Sequence, residues 1–161
     1  MPVQQTENYL LKIYHKMLKL PFGEQLFSLF FARKAPYFRT IKPRITLLEA
    51  SRCELTFKKR KAVQNHIGTV HAIALCNGLE MAMGAVAEAS IPAHLRWIPK
   101  AMNVEYTAKA SSDIRVIATV SANAWQVGDV PIQVEAQRTD GTVAIRGEII
   151  IYVSEKPPKN V

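Results

Sequence analysis

The segment from Ala72 to Ala89 does most to limit what this chain can fold into. It is mostly Ala, Met, Leu and Gly, and Asn77, Glu80 and Glu88 are its large polar side chains. A helix that is apolar on most sides normally lies in an interior. So many small residues predict that other backbone approaches it closely on several faces. Burying an unpaired carboxylate is expensive, so Glu80 requires either a partner or a cleft to face. The run Asn65-His66-Ile67-Gly68-Thr69-Val70-His71 leads into this helix through a glycine turn.

The rest of the chain is read around that helix. Leu10, Ile13, Tyr14, Met17 and Leu18 recur at helical spacing with Lys12, Lys16 and Lys19 off the stripe, which predicts an amphipathic helix over 6–20 capped by Thr6. A membrane surface could hold such a basic helix, but packing against its own domain is the simpler expectation. Pro21 stops it, a second helix is expected from Glu24 to Ala32, and Pro36 to Arg44 reads as irregular. Ile45 to Lys59 has the alternation of one or two strands, with Cys53, Leu55 and Phe57 on one side. Pro92 and Pro99 make Ser90 to Lys100 a loop or broken turn.

Four strands are expected after that. They centre on Val104-Tyr106, Ile114-Val120, Ile132-Ala136 and Val143-Val153, and Asp140-Gly141 forms a hairpin turn before the last. The order of elements predicts an α+β fold in which a curved antiparallel sheet wraps round a central helix. At 161 residues this is one domain, with a helical extension over 1–36 and a frayed tail over 154–161.

A net charge of +8 points to an anionic partner such as nucleic acid, a membrane surface or a phosphate-bearing small molecule. Nucleic acid rests on charge alone, since no aromatic-rich strand motif accompanies it. The lysines interrupt any N-terminal apolar core, and Leu26 to Ala32 is far short of the ~20 residues that cross a bilayer. A cytoplasmic protein without membrane insertion is expected. Cys53 and Cys76 have neither metal-like spacing nor a disulfide framework, so reduced thiols, no metal and no cofactor are expected.

The residues resemble the hotdog-fold acyl-CoA thioesterases, above all the phenylacetate-pathway type and a thioesterase-like branch related to it. The signature of that family is N-x-x-G-x-x-H-G-G with an acidic residue eight positions after the first glycine of H-G-G. Asn65, Gly68 and His71 match it, Ala72 and Ile73 replace the two glycines, and Glu80 takes the acidic position. Arg96-Trp97-Ile98-Pro99-Lys100 leading into Val104-Glu105-Tyr106 is also similar.

The resemblance implies a hotdog domain that forms a homodimer or a tetramer, with composite active sites at the dimer interface and an acyl-CoA or acyl-carrier thioester as substrate. Glu80 would be the catalytic nucleophile or general base, the Ala72 N–H the oxyanion donor, and Asn65 an orienting group. Gly68, His71 and Ile73 would line the substrate site. A helix N-terminus suits a developing oxyanion, and a backbone donor survives the loss of both glycines. Ala72 and Glu80 lie ~12 Å apart along a helix, so one carbonyl cannot touch both. If both act on it, they come from different subunits.

Each role has a structural counterpart. Glu80 could be held by Asn77, His71 or a backbone group, Asn65 could be a turn residue, and His71 could be a cap. Cys76 fits a small core residue better than a nucleophile. Lys58, Lys59, Arg60 and Lys61 could meet coenzyme A phosphates or simply face water. The loss of both glycines after His71 also keeps open a non-catalytic hotdog module that binds an acyl ligand or a protein partner. A hotdog dehydratase lacks its paired His and acidic motif here.

Overall fold

The computed structural model describes residues 8–158. The described residues form three α-helices, α1 (Tyr9–Met17), α2 (Gly23–Ala32) and α3 (Ala72–Ser90). Six strands follow the order β1 (Arg44–Glu49), β2 (Arg52–Phe57), β3 (Leu95–Tyr106), β4 (Ile114–Thr119), β5 (Gly128–Arg138) and β6 (Val143–Glu155). They make one antiparallel sheet in the order β1-β2-β4-β5-β6-β3, so β1 and β3 are its edges.

α3 lies against the inner face of this sheet. Leu79, Met81, Met83 and Val86 are fully buried there, together with Leu55, Val116, Ile132 and Ile149 from the strands. Gly78 shows why the helix needs small residues. A Cβ at that position would stand 3.0 Å from Phe57 and 3.1 Å from Val116, so a side chain would push the helix off the sheet. α3 is also the one helix among the described residues long and apolar enough to cross a membrane, and most of it is buried inside the fold.

The helical extension packs beside β1. Leu10 and Tyr14 face inward while Lys12, Lys16 and Lys19 are exposed, as the amphipathic pattern requires. Tyr14 meets Phe27 edge-on at 4.9 Å, and the buried Ser28 hydroxyl of α2 accepts the Ile45 N–H of β1 at 2.8 Å. Asn8 caps α1, its side chain accepting the Leu10 N–H. The expected cap, Thr6, lies outside the described residues, as do residues 159–161 of the tail.

Two expectations are corrected. The run from Leu95 to Tyr106 is a single strand and not a loop interrupted by Pro99. Proline lacks only the donor, and on an edge strand that donor can point away from the sheet. A register shift between Pro99 and Ala101 absorbs the irregularity. Pro36–Ile41, read as irregular, is a 3₁₀ turn with Pro36 at its start. The strand character of Ile45 to Lys59 resolves into the β1–β2 hairpin, whose turn places Ser51 at φ 74°.

Among the described residues, the outer face of the sheet carries one buried carboxylate. Glu54 accepts from Arg52 and Arg115 at 2.6 Å each. Burial pushes its carboxyl up, but the hydrogen bonds and charges of Arg115 and Arg52 outweigh that and hold it below the usual range. A folded-state value below the unfolded one means the stabilisation is complete above ~pH 4.3 and is lost as pH falls through the folded value. Glu54→Gln should therefore cost about 1–2 kcal/mol at pH 7, part of it screened because both arginines are half exposed. Thermal melting of both proteins from pH 7 to pH 3 should show the gap closing with acidity; a constant gap would rule out this ion cluster as its source.

Candidate active site

Residues 65–69 form a tight turn built by Asn65. Its Oδ1 accepts the Ile67 and Thr69 N–H groups at 3.2 and 3.1 Å, and its Nδ2 donates to Thr69 Oγ1 at 2.9 Å. Gly68 takes φ 76°, a left-handed conformation that costs glycine nothing. A bridge between Gln64 and Val70 and a bond from the His71 N–H to the Val63 carbonyl fix the entry into α3.

His71 is the N-cap of α3, and its Nδ1 accepts the Ile73 N–H at 3.1 Å. The capping role foreseen for it is therefore present. Ala72, the first helical residue, has an N–H with no hydrogen-bond partner among the described residues. That free donor points out of the positive end of a 19-residue helix. Ile73 beside it is 54% exposed, a branched side chain at a position where the resembled thioesterase signature has glycine.

Glu80 does not lie buried in an apolar wall, as the composition of the helix suggests. It is exposed within the protomer, on the stripe of α3 that the sheet leaves uncovered. None of the groups that could have held it does so. Asn77 is buried and donates to the Tyr37 carbonyl and Thr40 Oγ1, and His71 is occupied with its cap. Among the described residues the Glu80 carboxylate has neither a hydrogen bond nor an ion pair. Glu88, two turns on, is committed: its Oε1 accepts Trp97 Nε1–H at 2.8 Å.

Cys76 lies one turn before Glu80 and is half buried. Burial pushes its thiol up, a hydrogen bond with Tyr106 opposes this, and the Glu80 charge adds to the rise. Burial raises the Cys53 thiol far further. Neither is a ready thiolate at neutral pH, and no group of three or more His, Cys, Asp or Glu among the described residues could hold a metal ion.

A cavity of about 350 Å³ opens beside Glu80. Phe30, Phe31, Phe38, Met83 and Trp97 give it an apolar lining. A larger depression of about 1160 Å³ crosses the outer sheet face, but its lining is mostly polar and includes no residue of the 65–80 segment. The basic run splits by role. Arg60 donates to the Thr40 carbonyl and so ties the loop to the 3₁₀ turn, whereas Lys58 and Lys61 are exposed with no ion pair among the described residues. Lys59 anchors its backbone N–H on Asp113. Because Val63 bonds to His71, this run sits next to the N-terminus of α3.

Comparison with known proteins settles the family. The sequence profile of DUF4442, a domain of unknown function, matches residues 23–153. The chain belongs to the DUF4442 family. A crystal structure of a genomics target is similar at 42% identity and a TM-score of 0.81, covering 92% of this chain and 99% of that one. A Pseudomonas aeruginosa protein described as a probable thioesterase shares 22% identity at a TM-score of 0.73, over 85% and 97% of the two chains. A Haemophilus influenzae thioesterase shares 11% at 0.70, over 85% and 94%. These likenesses show the hotdog fold. No curated protein matches the chain.

Within this DUF4442 protein the structure brings Asn65, Gly68, His71, Ala72 and Ile73 together at one end of α3, with the basic run alongside. Glu80 stands apart from them, two helical turns away. The walls of the cavity come from Tyr9, Phe31, Gly84 and Trp97. Those positions are spread over most of the chain, and no local pattern joins them.

Proposed function

We propose that this DUF4442 protein hydrolyses acyl-coenzyme A thioesters in the cytoplasm, at two composite sites made by a homodimer. The observation that carries the reading is the unpartnered Glu80 carboxylate, facing a cleft with an apolar cavity beside it. A free acid in that position can take a proton from water as the water oxygen attacks the thioester carbon. The carbonyl oxygen becomes an oxyanion, received by the Ala72 N–H of a second copy. The tetrahedral centre then collapses, the C–S bond breaks, and coenzyme A leaves as the thiol after taking up the proton.

The described chain supports a two-copy site in another way. β3 is a 12-residue open edge, and Ile98 and Tyr106 on it are more than half exposed. Antiparallel pairing of two β3 edges would satisfy its free backbone groups and set two α3 helices side by side. Lys58 and Lys61 then lie where the anionic end of coenzyme A would meet the helix N-terminus. Asn65 acts by holding the turn that aims this end. The descriptions of the Pseudomonas and Haemophilus relatives agree with the reaction class.

Ile73 favours a second reading, because a branched side chain over the oxyanion position could leave only acyl binding. Free-thiol release from a panel of acyl-CoA esters separates the two. Turnover of any ester supports hydrolysis, and tight binding with no turnover of any ester establishes the binding module in its place.

A further inference from the structure

The cavity beside Glu80 lies outside the sheet–helix core, on the side where α1 and α2 lean over α3. We propose that it is the acyl subsite, that it takes a straight aliphatic chain of medium length, and that Gly84 sets the length admitted. This rests on the hydrolase reading for the end from which the chain enters.

Glu80, Gly84 and Glu88 recur every fourth residue, so they form one stripe with ~6 Å between neighbours along the axis. All three line the cavity. The far end is closed: Trp97 donates to the Glu88 carboxylate, and Asn8 Nδ2 donates to the Glu88 carbonyl at 2.7 Å, drawing the start of α1 onto the end of α3. The Glu80 end carries no such tie. A chain whose thioester sits at Glu80 therefore runs towards Glu88 and must pass Gly84.

The lining fixes the chemistry of the occupant. Ser28, Glu54 and Asn77 are the buried polar side chains among the described residues, and none of them lines the cavity. Between Glu80 and the Trp97-bonded Glu88 the walls are Phe31, Met83, Gly84 and Trp97. A hydroxyl or amide on that stretch of the acyl group would lose its water without gaining a partner, so plain hydrocarbon is preferred. Arg33 and Lys34 are exposed and stay at the rim. An apolar cavity of about 150 Å³ takes up benzene, and by that measure about 350 Å³ has room for at most roughly fourteen carbon atoms.

Gly84 lies in the cavity wall beside Trp97 and Phe31. A Cβ there would meet Trp97 at 3.6 Å and Phe31 at 3.9 Å, which is ordinary contact, so a methyl group fits while a longer side chain fills the passage. S-alkyl coenzyme A thioethers lack the carbonyl and cannot be hydrolysed, which makes them probes of binding alone. The wild type should bind the decyl thioether at least about ten-fold more tightly than the ethyl one. Gly84→Leu should lose about ten-fold for decyl and keep ethyl within about two-fold. Gly84→Ala should fall between them with an unchanged or higher melting temperature, since alanine favours the helix. That control separates a filled passage from an unfolded protein.

Decyl affinity indifferent to both substitutions would overturn the subsite. Chain-length-dependent binding that follows Gly84, with no ester turned over, keeps the subsite and removes the hydrolase. Turnover indifferent to chain length and to Gly84 does the reverse.

Discussion

Glu80→Gln is expected to slow thiol release from the best acyl-CoA ester by at least about 100-fold, with KM little changed. The amide keeps the size and shape of the carboxylate but cannot take a proton from water, and general-base catalysis is worth roughly 100- to 10,000-fold. The loss should fall on kcat, because the group acts on the attacking water and not on the bound nucleotide or acyl chain. Stability should barely move. Glu80 is exposed and has no ion pair or hydrogen bond among the described residues, and such surface changes are usually within about 0.5 kcal/mol. Steady-state kinetics beside a melting curve give both numbers. A variant as active as the wild type removes Glu80 from the reaction, and a large fall in melting temperature would mark it as a structural carboxylate.

The exposed state of Glu80 could not be read from the sequence. A helix that is apolar all round reads as enclosed all round, yet the sheet covers only one side of α3. The stripe through Glu80, Gly84 and Glu88 faces the N-terminal helices and the open β3 edge instead. The helix itself was legible, because small and apolar residues at fifteen of the eighteen positions from Ala72 to Ala89 admit little else. So were the alternating strands from Ile114 onward and the Asp140-Gly141 turn, where Gly141 takes φ 83°.

What escaped was decided by surroundings more than by residue type. Pro99 reads as a breaker unless β3 is known to be an edge, and the sharp β1–β2 turn carries Ser51 where glycine would have announced it. Asn65 was singled out for its spacing, and the structure shows a physical reason for asparagine there: three hydrogen bonds across one turn. Lys58 and Arg60 look alike in a charge run, but only contact with the Thr40 carbonyl separates the anchored residue from the solvent-facing one.

The composite site makes a prediction of its own through Ala72→Pro. Proline is welcome at the first position of a helix, where the missing N–H has no partner in any case. His71 before it already has φ −63° and ψ 140°, the extended geometry that a following proline demands. The substitution thus removes one donor and leaves the helix standing. Removing one oxyanion donor costs roughly 100- to 1,000-fold, so this variant should be nearly inactive while melting close to the wild type. Glu80→Gln and Ala72→Pro are each inactive alone, but their co-expressed mixture should not be. In a mixed dimer one site joins the intact Glu80 of one copy to the intact Ala72 N–H of the other, while the second site carries both lesions. If subunits mix freely, half of the dimers are mixed and half of their sites are intact, so about a quarter of wild-type activity should return. Restoration on that scale requires two copies to share one reaction. A mixture no more active than its components, with both variants folded and dimeric, would mean that Ala72 and Glu80 never meet across an interface, and the two-copy mechanism would be lost with it.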